Sequence, residues 1–143
     1  MKADAKTETA VKAVLEKLTE AYNNRDMALF LSICAQDPDV VMYGSGTDEK
    51  RIGLAELQVQ VERDWSQAEA ATFTFGWTSI SAAGSVAWAA IDAAINLKAG
   101  GQEMTFPMRG TFVFEKRGED WLIMQAHLSV PAAGQAEGES FPT

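Results

Sequence analysis

Cysteine, histidine and positive charge are what this chain has least of. Cys34 is the single cysteine among 143 residues, and His127 is the single histidine. One cysteine cannot close an intrachain disulfide, and a cysteine-rich metal site is excluded. One histidine rules out a set of imidazoles on one metal ion, so no metal is expected. Lys and Arg number 12 against 20 Asp and Glu, a net charge of -8. Such an acidic domain is a poor match for a phosphate backbone or an anionic bilayer, so neither nucleic acid nor membrane is an expected partner. No apolar run approaches the ~20 residues of a membrane helix. Met1–Lys6 lacks the apolar core of a signal peptide, and a chain trimmed of a leader would read the same. The reading is a soluble, cytoplasmic protein. Gly44-Ser45-Gly46 is followed by no Gly-Lys-Ser/Thr, so it is no phosphate loop, and no cofactor is expected.

What is present is a globular composition, with 47% hydrophobic and 22% charged residues, at the length of one domain. Residues 1–7 read as a flexible N-terminus, 8–131 as the folded domain and 132–143 as a mobile tail. Val11, Val14, Leu15, Leu18 and Tyr22 form one stripe of an amphipathic helix beginning near Thr7. Asp26 is placed to cap a short second helix, Met27 to about Ile33. Val40–Tyr43 and Lys50–Ile52 read as short strands. Gly53 opens a third helix with Leu54, Leu57, Val61 and Trp65 on one side and Glu56, Gln60, Arg63 and Asp64 near the other. Four longer strands follow, broken at Ala83-Gly84, Gly100-Gly101 and Arg117–Asp120.

Helices first and antiparallel strands afterwards indicate an α+β fold with helices on one face of a sheet. Between Ala70 and Phe114 only Asp92, Lys98, Glu103 and Arg109 are charged. A wet sheet face would carry more, so a second copy of the chain is expected to cover the face the helices leave open.

Four stretches carry a family resemblance. They are Ala21–Asp26 at the end of the first helix, Asp37-Pro38-Asp39-Val40 with Gly44-Ser45-Gly46, Arg51-Ile52-Gly53-Leu54-Ala55-Glu56-Leu57, and Arg109–Phe114 followed by Trp121-Leu122-Ile123 and His127-Leu128-Ser129. In order and spacing they resemble the SnoaL-like domains of the nuclear-transport-factor-like superfamily, which includes the ketosteroid isomerases. The resemblance implies a cone-shaped α+β barrel, three N-terminal helices packed on a curved, mostly antiparallel sheet, with a pocket inside the cone. It also places the isomerase tyrosine, general-base aspartate and second oxyanion donor at Leu18, Met42 and Gly110. None of these side chains can do that work, so steroid isomerisation by that machinery is rejected.

The resemblance turns the Asp92 face of its strand toward the cone. There the carboxylate would lose its water and could serve as acid or base, making Asp92 the candidate catalytic residue. The plainer alternative ties it to a neighbouring donor or a dimer rim. The implied pocket wall is Tyr22, Tyr43, Trp65, Trp88, Phe106, Met108, Phe112 and Met124, suited to a small hydrophobic ligand. The opposite, convex face would hold the homodimer: Ala87, Ala89, Ile91 and Ala93 as a flat ladder, extended by Arg109, Thr111 and His127. Arg109 is read as a structural pair or a carboxylate binder, and His127 as a packing or interface residue. Two functions follow: a small-molecule-binding protein, with or without turnover, and a non-enzymatic association domain.

Overall fold

The computed structural model describes residues 1–143. The elements are α1 (Ala5–Asn23), α2 (Met27–Ser32), β1 (Val41–Tyr43), β2 (Lys50–Ile52), α3 (Leu54–Ser66), β3 (Ala70–Ala83), β4 (Val86–Ala99), β5 (Gln102–Arg117) and β6 (Asp120–Ser129). The six strands form one sheet in the order β2-β1-β6-β5-β4-β3. Only the β1–β6 pairing is parallel. The fold is α+β, with three helices on a mostly antiparallel sheet, as the resemblance implies. No helix is long and apolar enough to cross a membrane.

Capping explains the helix starts. Asp4 accepts the Thr7 N–H and begins α1 at Ala5, two residues before the periodicity alone suggests. Asp26 accepts the Leu29 N–H and begins α2. Gly53 enters α3 at φ +81°, a backbone shape that disfavours any residue with a Cβ. The first residues, expected to be flexible, lie along the edge of β3. Ala3 N–H donates to Ile80 C=O, and Ala82 N–H donates to Met1 C=O. Ala3 is buried in the core, which gives this segment an apolar anchor as well as a ladder. Further along the same edge the Asn23 carboxamide acts as a one-residue strand: Oδ1 accepts the Phe73 N–H at 2.7 Å and Nδ2 donates to its carbonyl. The free edge of β3 is thereby blocked against another chain.

The helices settle which face of the sheet is inside. Ala87, Ala89, Ile91 and Ala93 are buried in one cluster with Val11, Val14 and Leu15 of α1 and Phe112 and Phe114 of β5. This corrects the expected dimer ladder: those four residues lie beneath the helices and cannot meet a second chain. The physical reason is volume. Large side chains on α1 and β5 fill the layer at close-packed density, so the β4 positions between them must be small. The bulky residues of β4 and β3, Trp88 and Trp77, stand on the face that no helix covers, with Trp77 61% exposed. Arg109, Thr111 and His127 are on that open face too, through the cross-strand pairs Asp92–Arg109, Ala90–Thr111 and Thr111–His127.

Two bulges re-aim side chains. On β3, Phe75 pairs with Ala93 and Thr78 with Ile91, leaving Gly76 and Trp77 opposite Asp92. On β6, Val113 pairs with Gln125 while Phe114 pairs with Ile123, so Met124 is the extra residue. Trp121, Ile123 and Ala126 are buried, whereas Gln125 and His127 are exposed, so the alternation changes face at Met124. At Gly110 a Cβ would stand 2.6 Å from Leu128 Cδ2 and 2.7 Å from the His127 carbonyl oxygen, so β5 and β6 meet there only because the residue is glycine.

Ile91→Glu tests this register. Ile91 is 2% exposed, and a carboxylate there would be buried without a partner. The substitution should abolish the cooperative melt seen by circular dichroism. A well-folded Ile91→Glu monomer would place Ile91 outside.

Candidate functional site

The sheet register separates the sequence-predicted site residues. Asp92 is exposed on the open face, so the candidate acid does not enter the cone. Trp88 accompanies it, at 36% exposure. Tyr43 sits opposite His127 in the β1–β6 ladder, its ring centroid 5.3 Å from the imidazole, and belongs to the open face as well. Met124, displaced by its bulge, accepts a contact from Arg117 Nη2 at the charged end of the hairpin. Asp92 and Trp88 are outside because the face of β4 expected to line the cone is the one without helices, Tyr43 because it pairs with the exposed His127, and Met124 because of its bulge. Tyr22, Trp65, Phe106, Met108 and Phe112 are on the inner side, as expected.

On that inner side the aromatic rings form a connected series. The Tyr22 and Trp65 centroids are 6.2 Å apart, Tyr22 and Phe73 6.5 Å, Phe73 and Phe75 5.0 Å, and Phe75 and Phe112 6.3 Å. The Phe73 row continues through Ile95 to Phe106, and the Phe75 row through Ala93 to Met108. Beyond the helices this wall opens: Met104 is 42% and Phe106 41% exposed. Leu18 and Met42 pack on the core, and Leu128 closes over Gly110. The three positions where an isomerase would carry polar groups are therefore apolar.

Polar chemistry enters the inner side from α3. Asp64 accepts the Tyr22 hydroxyl at 3.1 Å on Oδ2 and Gln60 Nε2 at 2.7 Å on Oδ1. Gln60 Nε2 also donates to Glu49 Oε1 at 3.1 Å, and Gln60 Oε1 accepts Arg51 Nε at 2.9 Å. Arg63 holds Glu49 at 3.0 Å and Asp48 at 2.7 Å, tying the β1–β2 hairpin to α3. Trp65 Nε1 donates to the Tyr22 carbonyl and fixes the end of α1 against α3. Burial pushes the Asp64 carboxyl above the usual aspartate range; Glu49 adds to the push, while the donors Gln60 and Tyr22 pull against it. Burial, and then the Asp64 charge, push the Tyr22 phenol up, so its proton is retained and directed at Asp64. A half-buried carboxyl whose proton affinity is raised is suited to exchange a proton with a ligand, beside a phenol that keeps its own.

The sequence places Gln60 and Asp64 near the far side of α3, and the structure corrects this: both turn inward beside Tyr22. Leu57, Val61, Trp65 and the polar pair Gln60 and Asp64 follow the i, i+3, i+4, i+7 spacing of one helix face. Polar residues inside an apolar stripe are the ones to ask about.

The open face carries a shallow groove of about 360 Å³ lined by Trp77, Ala90, Asp92, Arg109, Thr111, His127 and Ser129, among others. Arg109 Nε donates to Ser129 Oγ at 3.3 Å. Asp92 and Arg109 are cross-strand neighbours yet form no ion pair. Cys34 is buried, with its thiol pushed up to about 12 by burial, and is inert on that account. No group of three or more His, Cys, Asp or Glu side chains is placed to hold a metal ion.

The Asp64 environment predicts an inverted pH term. Its pKa is raised in the folded chain, so the folded state holds the proton more tightly than the unfolded state. The stability from this group therefore falls as pH rises through the window between the ordinary value, 3.8, and the folded one. Carbon-13 carboxyl titration should show one aspartate above the others, and Asp64→Asn should delete it. An Asp64 signal titrating at or below the ordinary value would remove the proton-exchange reading.

The comparisons agree with this fold. A SnoaL-like domain profile matches residues 11–133. Among solved structures, a nuclear transport factor 2 (NTF2-like) superfamily protein from Salmonella enterica superposes with TM-score 0.83 at 16% identity, covering 97% of this chain and 100% of that one. A candidate dehydratase of the NTF2-like family from Streptomyces avermitilis gives TM-score 0.80 at 17% identity, covering 87% of this chain and 97% of that one. A candidate calcium/calmodulin dependent protein kinase II association domain from Xanthomonas campestris gives 0.75 at 21%, covering 86% of each. No curated protein matches. At these identities the structures speak for the fold alone, while the profile spans most of the chain: this protein belongs to the SnoaL-like domain family and has the NTF2-like fold.

Proposed function

We propose that the protein binds a small apolar ligand at the open end of the cone, with the Tyr22–Asp64 pair as the polar group that orients it or exchanges a proton with it. The observation that carries this reading is the meeting of two features on the inner side. One is an apolar wall that runs from the buried Phe73 out to the exposed Phe106. The other is the half-buried carboxyl–phenol pair that touches the start of that wall through Tyr22. The chemistry is that of the pair: a protonated Asp64 donates, an ionised one accepts, and Tyr22 supplies a second hydroxyl. Asp92 has no part in it.

The open face is assigned to a second copy of the chain. Trp77 and Trp88 are exposed there, and one acid and one base, Asp92 and Arg109, lie side by side without pairing. Repeated by a two-fold axis, each charge finds the other across the interface. An association domain without a ligand is the second reading, favoured by the same exposed tryptophans.

A titration with 1-octanol, followed by NMR shifts, separates the two. Saturable binding is expected, weakened about fivefold by Phe106→Ser and unchanged by Trp88→Ser. No binding would leave the association domain. Independently, light scattering should give about twice the chain mass for the wild type and the chain mass for Trp88→Glu, because two buried like charges would oppose across the axis. A monomeric wild type would overturn the dimer.

A further inference from the structure

The cluster on α3 satisfies its acids and leaves one cation over. Arg51 sits in β2 opposite Met42, whose side chain packs on the core, so Arg51 heads the inner row that runs through Met42, Ala126 and Phe112. It is half-buried, unlike its exposed neighbours Lys50 and Ile52. Its Nε is fixed on Gln60 Oε1 at 2.9 Å. The two Nη groups donate to no protein atom, and no carboxylate forms an ion pair with the guanidinium. The nearby acids are committed elsewhere: Glu49 and Asp48 to Arg63, and Asp64 to Tyr22 and Gln60. In a chain of net charge -8, a half-buried guanidinium held in place by one nitrogen and left without an anion is an unfilled fork.

We infer that the ligand of the inner site is an apolar acid whose carboxylate is clasped by the free side of Arg51. This rests on the cone-binding reading and names its substrate class. A guanidinium offers two parallel N–H donors that match the two oxygens of a carboxylate, a geometry a lysine or a hydroxyl cannot reproduce. Gln60 sets the plane of that fork by holding Nε, and the same Gln60 holds Asp64. The carboxylate end and the proton-exchanging pair are thus locked in one frame through a single amide. Beside Arg51 on the inner row stands the half-buried Met42, an apolar neighbour for the start of a hydrocarbon tail behind an acidic head. The acidic surface elsewhere on the chain weakens stray binding of the same anions.

Octanoate and 1-octanol, titrated separately into the full-length protein, test the inference. The wild type should bind octanoate more tightly than octanol. Arg51→Gln, which keeps a polar group near Gln60 and removes the fork, should lose about tenfold or more in octanoate affinity and leave octanol binding in place. Arg51→Lys should recover little of the loss. Octanoate binding that survives Arg51→Gln, or octanol binding as tightly as octanoate to the wild type, would overturn the carboxylate assignment while leaving the apolar site standing. If neither compound binds, the cone-binding reading itself fails, and the carboxylate assignment with it. Circular dichroism melts of both variants confirm that the fold is retained.

Discussion

The burial of the alanine-rich row of β4 in one core with the apolar stripe of α1, which lies along β3, is the arrangement on which the remaining geometry depends. Ala87, Ala89 and Ala93, with Ile91 between them, share that core with Val11, Val14 and Leu15 of α1 and Phe112 and Phe114 of β5. A larger residue in that row would lift the helix from the sheet. With the row fixed inside, strict alternation puts Trp88, Asp92, Arg109 and Thr111 outside. The division of the molecule into a helix-covered side, proposed for the ligand, and an open side, proposed for association, follows from that one choice of face.

The inner side is apolar except where α3 and β2 meet. There the polar atoms are joined rather than isolated: Tyr22 to Asp64, Asp64 to Gln60, Gln60 to Glu49 and Arg51, and Glu49 to Arg63. No buried side-chain nitrogen or oxygen lacks a partner. Joined at so many points, with only the Arg51 Nη groups left over, the network rigidifies the end of α1, α3 and the β1–β2 hairpin together. The strain falls on Asp64, whose charge is held where water is scarce, and that raised proton affinity is what makes the cluster chemically interesting.

The order of helices and strands, the Asp26 cap and the glycine turns were legible in the sequence, because each is written in local spacing or turn chemistry, whereas the Asp4 cap lay in a segment read as flexible. Which face of β4 is inside was not. Alternating patterns such as Ala87–Ala93 against Trp88–Ala94 are equally regular from either side, and small residues suit a helix contact as well as a sheet-to-sheet one. The bulges at Gly76–Trp77 and Met124 made matters harder, since one extra residue exchanges the faces of everything beyond it. Asp92 drew attention as the lone acid in an apolar strand, yet exposure explains it. Asp64 was hidden among the many charges of a surface helix, and only its place in the buried stripe set it apart.

The roles proposed for the two faces share little machinery, which fits a fold whose relatives differ widely in what they are named for. The account stands or falls on which side meets a ligand. Intermolecular NOEs collected on the octanol-saturated protein decide it. The account predicts cross-peaks from the ligand chain to the Met108 methyl and the Phe106 ring protons, with the Trp77 and Trp88 indoles silent. Cross-peaks confined to those indoles would contradict it and move the site to the open face.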